Sequence, residues 1–514
     1  MDAYKKCMPK ASLFSLAERR RAEPLVQIVF TNPFSEERQE LNRLALGGTY
    51  DALQAKGAAG GGGSPVLAEM VESCRRLADN ARERIRRRKV ALDSPDVALY
   101  ESLVYFLAYH DIASSLDSYI ERCIENPEAN PQWRQYAELK RYCDHYLRPS
   151  GLSLPTMLSL PELAAFVFQI RRAFYCAFRA LIGDSPSLSA LRKRVWNSVF
   201  THDMRRYARS LSGRMNDIST LIVGPSGSGK EVVAQCIALS RHVPFDPSAS
   251  RFAQNFVGVY FPINLSALSA TLIESELFGH RKGAFTGALQ DRAGYFESSG
   301  PFGSVFLDEI GDTDVTVQIK LLRVLQTRQF QRLGDTRSMR FEGKAIAATN
   351  ADLGLAIERG RFREDLYYRL CSDRIETPAL RAVLDERPEE LERLVRFVAE
   401  RVAGEKEADA LGEAALKWIR GSMPERYEWP GNVRELEQCV RNVLVHGEYW
   451  PHSIYGKSAA GDGEGFGAMA AAGRYTLNGL IGAYVKQEYE RTPSLAEVGK
   501  RLRADPRTVR KHLG

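Results

Sequence analysis

The sequence predicts a central α/β domain with a parallel sheet, a mostly α-helical N-terminal region before it and a short helical unit at the C-terminus. Three observations carry this. Strand-like apolar runs at 219–223, 259–263, 304–307 and 344–348 alternate with helical segments, which is the order that builds a parallel sheet. A glycine-rich turn follows the first run and opens a helix at Lys230. Residues 377–447 then carry helical periodicity alone.

Composition sets the outer limits. The chain has 514 residues, 44% hydrophobic and 26% charged, so it is an ordinary globular protein of three or four domains rather than a disordered or disulfide-stapled one. No two of its eight cysteines stand in C-x-x-C spacing, which argues for reduced thiols and a cytoplasmic protein. The N-terminus lacks a signal-peptide pattern, and charge interrupts every apolar stretch before bilayer-spanning length, so no membrane partner is expected.

Residues 1–190 are read as a regulatory region of unknown input. Residues 25–30 suggest a short strand. Gly57 to Ser64 has linker composition. After it, Leu67, Met70, Cys74, Leu77, Ala81 and Ile85 recur at helical spacing, with a basic face from Arg75 to Lys89. Further helices are predicted near 97–125, 131–147, 160–182 and 186–211. Aromatics crowd two of them: Tyr100, Tyr105, Phe106 and Tyr109, then Phe166, Phe168, Phe174, Tyr175 and Phe178. A helical core explains them; a ligand pocket is the alternative.

The chemistry begins at the turn. Gly224, Pro225, Ser226, Gly227, Ser228, Gly229 and Lys230 fit G-x-x-x-x-G-K between a strand and a helix. Glycines let backbone N–H groups curl toward phosphates, the helix N-terminus adds partial positive charge, and Lys230 adds a full one. Glu231 stands where a magnesium-binding Ser or Thr is usual. A second apolar strand ends in Asp308 and Glu309. Paired with the turn, these acids suit Mg²⁺ binding (Asp308) and activation of an attacking water (Glu309) in ATP hydrolysis.

The loop 283–288, comprising Gly283, Ala284, Phe285, Thr286, Gly287 and Ala288, reads GAFTGA. With Ser275–Gly279, Leu307–Gly311, Lys320–Gln326, Ala348–Asn350, Arg361–Leu370 and Trp429–Leu436 in order, it resembles the sigma-54-dependent transcriptional activators, bacterial enhancer-binding proteins of the AAA+ superfamily. The resemblance covers about residues 190–450 and the tail. It implies an AAA+ P-loop subdomain at 191–376 and a helical lid at 377–450. It further implies that 283–288 engages sigma-54 RNA polymerase, that Asn264 restrains Glu309, and that Asn350 senses the γ-phosphate. Arg363 and Arg369 would reach a neighbour's nucleotide in a ring, hexameric by the family pattern, and Arg434 would read the nucleotide from the lid. Glu231 fits the family too. Residues 242–258 look inserted, and 378–388 form a looser version of the family's Pro-rich segment.

Residues 451–473 read as a second linker, and 474–514 as a helix-turn-helix DNA-binding domain similar to the Fis-like unit that ends many such activators. Ser494 to Ala504 reads as one helix and Asp505 to Leu513 as another, with Pro506 in the first turn and Asp505 as N-cap. Leu495, Val498, Leu502, Val509 and Leu513 would form the shared core, leaving Arg507, Thr508, Arg510 and Lys511 for an upstream DNA site. Arg503 and Ala504 stand where the turn usually has Gly. Nine Lys and Arg against four Asp and Glu lie in 474–514, so most of the chain's net charge of +7 sits there. The rival readings are another AAA+ remodelling ATPase and a non-catalytic DNA-binding regulator.

Overall fold

The computed structural model describes residues 12–58, 64–87, 95–149, 153–450, 477–492 and 494–513. The linker expected at 451–473 lies outside them, as does most of that expected at 57–64. The chain divides into two compact units, Met1–Glu437 and Gln438–Gly514.

Among the described residues, the first unit opens with eight α-helices: α1 (Leu16–Phe30), α2 (Glu36–Leu46), α3 (Tyr50–Ala58), α4 (Pro65–Arg87), α5 (Pro95–Glu125), α6 (Tyr136–Leu147), α7 (Leu160–Ala180) and α8 (Pro186–Phe200). The strand expected at 25–30 is instead the second half of α1. Ser15 and Glu18 form a capping box at its start, and Ala22, Leu25, Val26 and Ile28 bury one helical face. The expected helix 186–211 breaks at Thr201, whose φ is 64°, and resumes as a helical turn at Met204–Arg206 that widens over Tyr207–Leu211. Residues 131–135 precede α6 rather than joining it, because the Trp133 N–H donates to the Ser250 carbonyl.

Five parallel strands form the central sheet: β1 (Thr220–Val223), β2 (Tyr260–Asn264), β3 (Ser304–Asp308), β4 (Lys344–Thr349) and β5 (Asp373–Glu376), in spatial order β5-β1-β4-β3-β2. β5 is the one strand of this sheet without an expected counterpart; three of its four residues are charged, so it carries no apolar run. Helix α9 (Lys230–Leu239) follows β1. Lid helices α10 (Glu390–Ala403), α11 (Ala408–Ser422) and α12 (Asn432–His446) come after the sheet.

Residues 242–258 have a clear structural role. Phe245–Asp246 and Arg251–Phe252 pair as a small antiparallel ribbon that meets the N-terminal helices. Phe252 lies on Phe168 of α7 with ring centroids 3.9 Å apart, and Phe245 meets Tyr136 of α6 at 4.4 Å. Asn130 donates to the Phe252 carbonyl, and Asn255 donates to the carbonyls of Cys123, Asn126 and Ala129. Buried amides that satisfy several carbonyls at once fix one relative placement of the two layers. The N-terminal helices and the sheet domain thus share a continuous core.

In the second unit, α13 (Leu477–Arg491), α14 (Leu495–Leu502) and α15 (Pro506–Leu513) enclose Val485, Val498 and Val509, with Leu495, Leu502 and Leu513 packed around them. Asp505 accepts from the Arg507 N–H at 2.7 Å. Arg503 turns the chain in the left-handed region, φ 50°. Among the described residues, no helix is long and apolar enough to cross a membrane.

Candidate nucleotide site and exposed loop

The parallel sheet explains the site's position. β1, β3 and β4 are neighbours or next neighbours and run the same way. Their C-terminal ends therefore gather the glycine-rich turn, the Asp308–Glu309 pair and Asn350 along one edge, where α/β sheets bind ligands.

The turn itself needs its glycines. Gly224, Gly227 and Gly229 all have positive φ, and a Cβ on Gly227 would fall 2.2 Å from the Gly431 carbonyl. Lys230 opens α9, and its ammonium donates to the Gly224 and Pro225 carbonyls at 3.1 and 3.3 Å. Burial lowers its pKa while Glu309 and Asp308 raise it. Ser228 and Thr377 share a hydroxyl hydrogen bond of 2.6 Å. Glu231, next in α9, is exposed.

Asp308 is partly buried, and desolvation raises its pKa, opposed by the Glu309 N–H and Lys230. Glu309 adopts the left-handed conformation, φ 52°. A non-glycine residue there is held by its surroundings: its carboxylate accepts the Asn350 N–H at 3.2 Å. Asn264 ends β2 in register with Asp308. Its side chain accepts from Ser266 and Ala267 and closes its own turn.

The lid's helix α12 starts on the phosphate turn. Arg434 donates to the Ser226 hydroxyl at 3.1 Å, the Val433 N–H donates to the Gly227 carbonyl, and Asn432 bridges the Ser226 carbonyl and the Leu380 N–H. Glu435, bonded to the Tyr427 hydroxyl and the Gly431 N–H, holds this start in place. Sequence reasoning named Arg434 but missed Asn432 and Thr377. Asn432 lay inside the Trp429–Leu436 block; Thr377 had no signal.

Arg363 and Arg369 stand apart from the turn. Arg363 pairs with exposed Asp365 at 2.7 Å, and exposed Arg369 donates to the Leu325 carbonyl at 2.9 Å.

The loop 283–288 is closed by Gly283 N–H to the Ala288 carbonyl at 2.8 Å and Ala288 N–H to the Phe285 carbonyl at 3.0 Å. Arg281 anchors its base to Asp291 and Asp335. Thr286 and Gly287 are exposed and Leu289 is 84% exposed. Phe285 leans back on His280, centroids 5.0 Å apart, and is less exposed than a free tip aromatic.

Residues 198–376 match the family described as Sigma-54 interaction domain, and residues 385–449 match the AAA+ ATPase lid domain. Residues 198–449 thus resemble a sigma-54 interaction domain followed by its AAA+ lid. The chain is similar to the DNA-binding transcriptional regulator NtrC of Proteus hauseri, 44% identical over 267 residues, covering 52% of this chain and 49% of that protein. It is also similar to the Nif-specific regulatory protein of Azotobacter vinelandii, 37% identical over 269 residues, covering 52% of this chain and 44% of that protein. A third relative is the transcriptional regulatory protein ZraR of Klebsiella oxytoca, 38% identical over 278 residues, covering 52% and 53%. The chain thus spans about half the length of the curated relatives it matches. A crystal structure of NtrX from Brucella abortus superposes over 77% of this chain and 86% of that one, with TM-score 0.41 and 20% identity. The phosphate turn, the Asp308–Glu309 pair and the 283–288 loop all fall inside the sigma-54 interaction domain; Arg434 falls in the lid.

Proposed function

We propose that this protein is an ATP-hydrolysing transcriptional activator that remodels sigma-54 RNA polymerase. One observation supports this reading above the others: a hydrolysis-type acid pair and an exposed GAFTGA loop stand in one sigma-54 interaction domain. The named relatives are transcriptional regulators.

The donor set fits a nucleotide. Positive-φ glycines, the N-terminus of α9 and Lys230 make an anion cradle. Among the described residues, no three His, Cys, Asp or Glu side chains converge to hold a metal. Asp308 would therefore share Mg²⁺ with the phosphates of ATP, as is usual for this ion. Held there, Mg²⁺ would supply charge neutralisation at the phosphates. Glu309 orients and deprotonates the attacking water, and Asn350 holds that carboxylate through its backbone N–H. Arg434 reports occupancy to the lid. Arg363 and Arg369, turned outward, serve a neighbouring subunit in a homo-oligomeric ring of hexameric type. The 283–288 loop contacts sigma-54, and α14–α15 form a helix-turn-helix that places Arg507, Thr508, Arg510 and Lys511 on an upstream DNA site.

Phosphate release and sigma-54 pull-down with the full chain test this reading. ATP-dependent retention of sigma-54 is expected. ATP hydrolysis without such retention would point to a different remodelling ATPase, and no hydrolysis to a non-catalytic regulator.

A further inference from the structure

The N-terminal helices enclose a cavity of about 480 Å³, within the size range of small-molecule sites. Its walls are largely apolar and aromatic, with Met70, Phe106, Phe166, Phe174 and Trp196 among them. One strong charge faces it. Arg38 of α2 donates to the Ile28 carbonyl, the one acceptor its side chain finds among the described residues. No carboxylate there lies within ion-pair reach of it. The other arginine of the lining, Arg171, is already neutralised by Asp117. His110 sits in the same wall as an uncharged imidazole, its pKa held down to about 4 by burial and by Arg38 and Arg171. The Asn42 amide oxygen, on the same helix as Arg38, is buried with no partner. An uncompensated guanidinium against an apolar wall is costly unless an anion joins it. Size, aromatic lining and a single net positive charge together select a ligand with an apolar body and one carboxylate.

Helix α7 links this cavity to the sheet domain. Leu163, Phe166, Val167, Ile170 and Phe174 face the cavity. Phe168, Gln169 and Arg172 project from the opposite face, as their spacing of three and four requires. Gln169 donates to the Ser240 carbonyl at 2.9 Å. Arg172, fully buried, donates to the Leu239 and Arg241 carbonyls at 2.7 and 2.5 Å. These carbonyls end α9, the helix that Lys230 begins. The cation therefore caps the negative end of the phosphate-binding helix.

We propose that the cavity binds a small amphipathic carboxylate with an aromatic body, paired with Arg38, and that α7 transmits its occupancy to α9. The binding half stands on the cavity alone. The transmission half rests on the ATPase activity proposed above.

Calorimetric titration of the full chain with 1-naphthaleneacetate and with its neutral amide tests the binding half. The carboxylate should bind at least tenfold more tightly than the amide. Arg38→Met should erase that preference and Arg38→Lys should keep most of it. Ala113→Trp, which fills the cavity, should abolish binding of both while thermal unfolding stays cooperative. Equal affinity for the two compounds, no heat with either at millimolar concentration, or full binding by Ala113→Trp would overturn the assignment. Phosphate release measured with saturating carboxylate tests transmission: a changed rate in the native chain, absent in Arg38→Met, is expected. Binding with an unchanged rate overturns transmission and leaves the site. An inactive chain that still binds the carboxylate overturns the ATPase reading instead.

Discussion

The Asn350 backbone N–H donates to the Glu309 carboxylate across 3.2 Å, so the residue that follows β4 holds the acid that follows β3. The bond is made to an oxygen, which glutamine also has. Glu309→Gln should therefore keep the local geometry and remove the base. Turnover should fall by a factor of about 10² to 10⁴, with nucleotide affinity within about threefold of the native value. Phosphate release and equilibrium binding of a non-hydrolysable ATP analogue check the two halves separately.

Thr286 presents its side chain to solvent at the end of the loop closed by Gly283 and Ala288. Exposed substitutions of this kind shift stability by less than about 0.5 kcal/mol. Thr286→Val should leave the unfolding midpoint and ATP hydrolysis unchanged and lose sigma-54 capture. Capture at the native level would mean that the loop does not make the contact.

What was legible in the sequence follows from where the information sits. Gly224, Lys230 and Asp308 could be placed because phosphate chemistry demands particular residues at short, fixed spacing. Three of the central strands, β1, β3 and β4, were visible because burial on both faces makes them continuous apolar runs; the edge strand β2, half-exposed, was visible from Tyr260, Phe261 and Ile263. β5 was not, since Asp373, Arg374 and Glu376 give it no such run. Residues 25–30 looked like a strand because Val26, Ile28 and Val29 are β-branched, yet the cap set by Ser15 and Glu18 ten residues earlier decides the outcome. The purpose of 242–258 was invisible for another reason. Its partners Asn130 and Phe168 lie some distance away in the chain, and one sequence does not reveal which distant side chains meet.

That meeting point predicts a large effect from one ring. Phe252 is fully buried and touches Phe168, Tyr119, Trp133 and Phe245. Phe252→Ala leaves a cavity between the two layers and should cost about 3–5 kcal/mol. The unfolding midpoint should drop, and limited proteolysis should cut the N-terminal helices sooner than in the native chain. An unchanged midpoint would mean that the ribbon does not hold the layers together.

Two half-buried histidines set the acid side of stability. His242, at the start of the ribbon, and His110, in the cavity wall, both have pKa values lowered to about 4, first by burial. Arg172 and Arg241 press further on His242, with Glu162 opposing them. Between pH 6.5 and 4 the unfolded chain holds protons on these rings that the folded chain does not, so stability rises with pH there. The stabilisation is complete above pH 6.5 and is lost as pH falls through 4, on the order of 3 kcal/mol for each ring. His242→Asn should flatten the slope of denaturant stability between pH 4 and 6.5. A slope equal to the native one would remove His242 as its source.

The turn between α14 and α15 carries a conflict that one substitution relieves. Arg503 occupies the left-handed region at φ 50°, which costs a side chain on the order of 1 kcal/mol and costs glycine nothing. Gly499 has the opposite requirement: a Cβ there would lie 2.8 Å from the carbonyl of Ala504, the residue whose N–H closes the turn on the Gly499 carbonyl. Arg503→Gly should therefore stabilise the second unit by no more than about 0.5 kcal/mol, after the added backbone freedom of the unfolded chain is subtracted. Gly499→Ala should destabilise it by about 1–3 kcal/mol. Amide hydrogen exchange across residues 477–513 reads both directly, with slower exchange expected for the first variant and faster for the second. If both variants exchange at the native rate, the turn does not govern how α15 is presented, and the strain at Arg503 has no part in the stability of the helix pair.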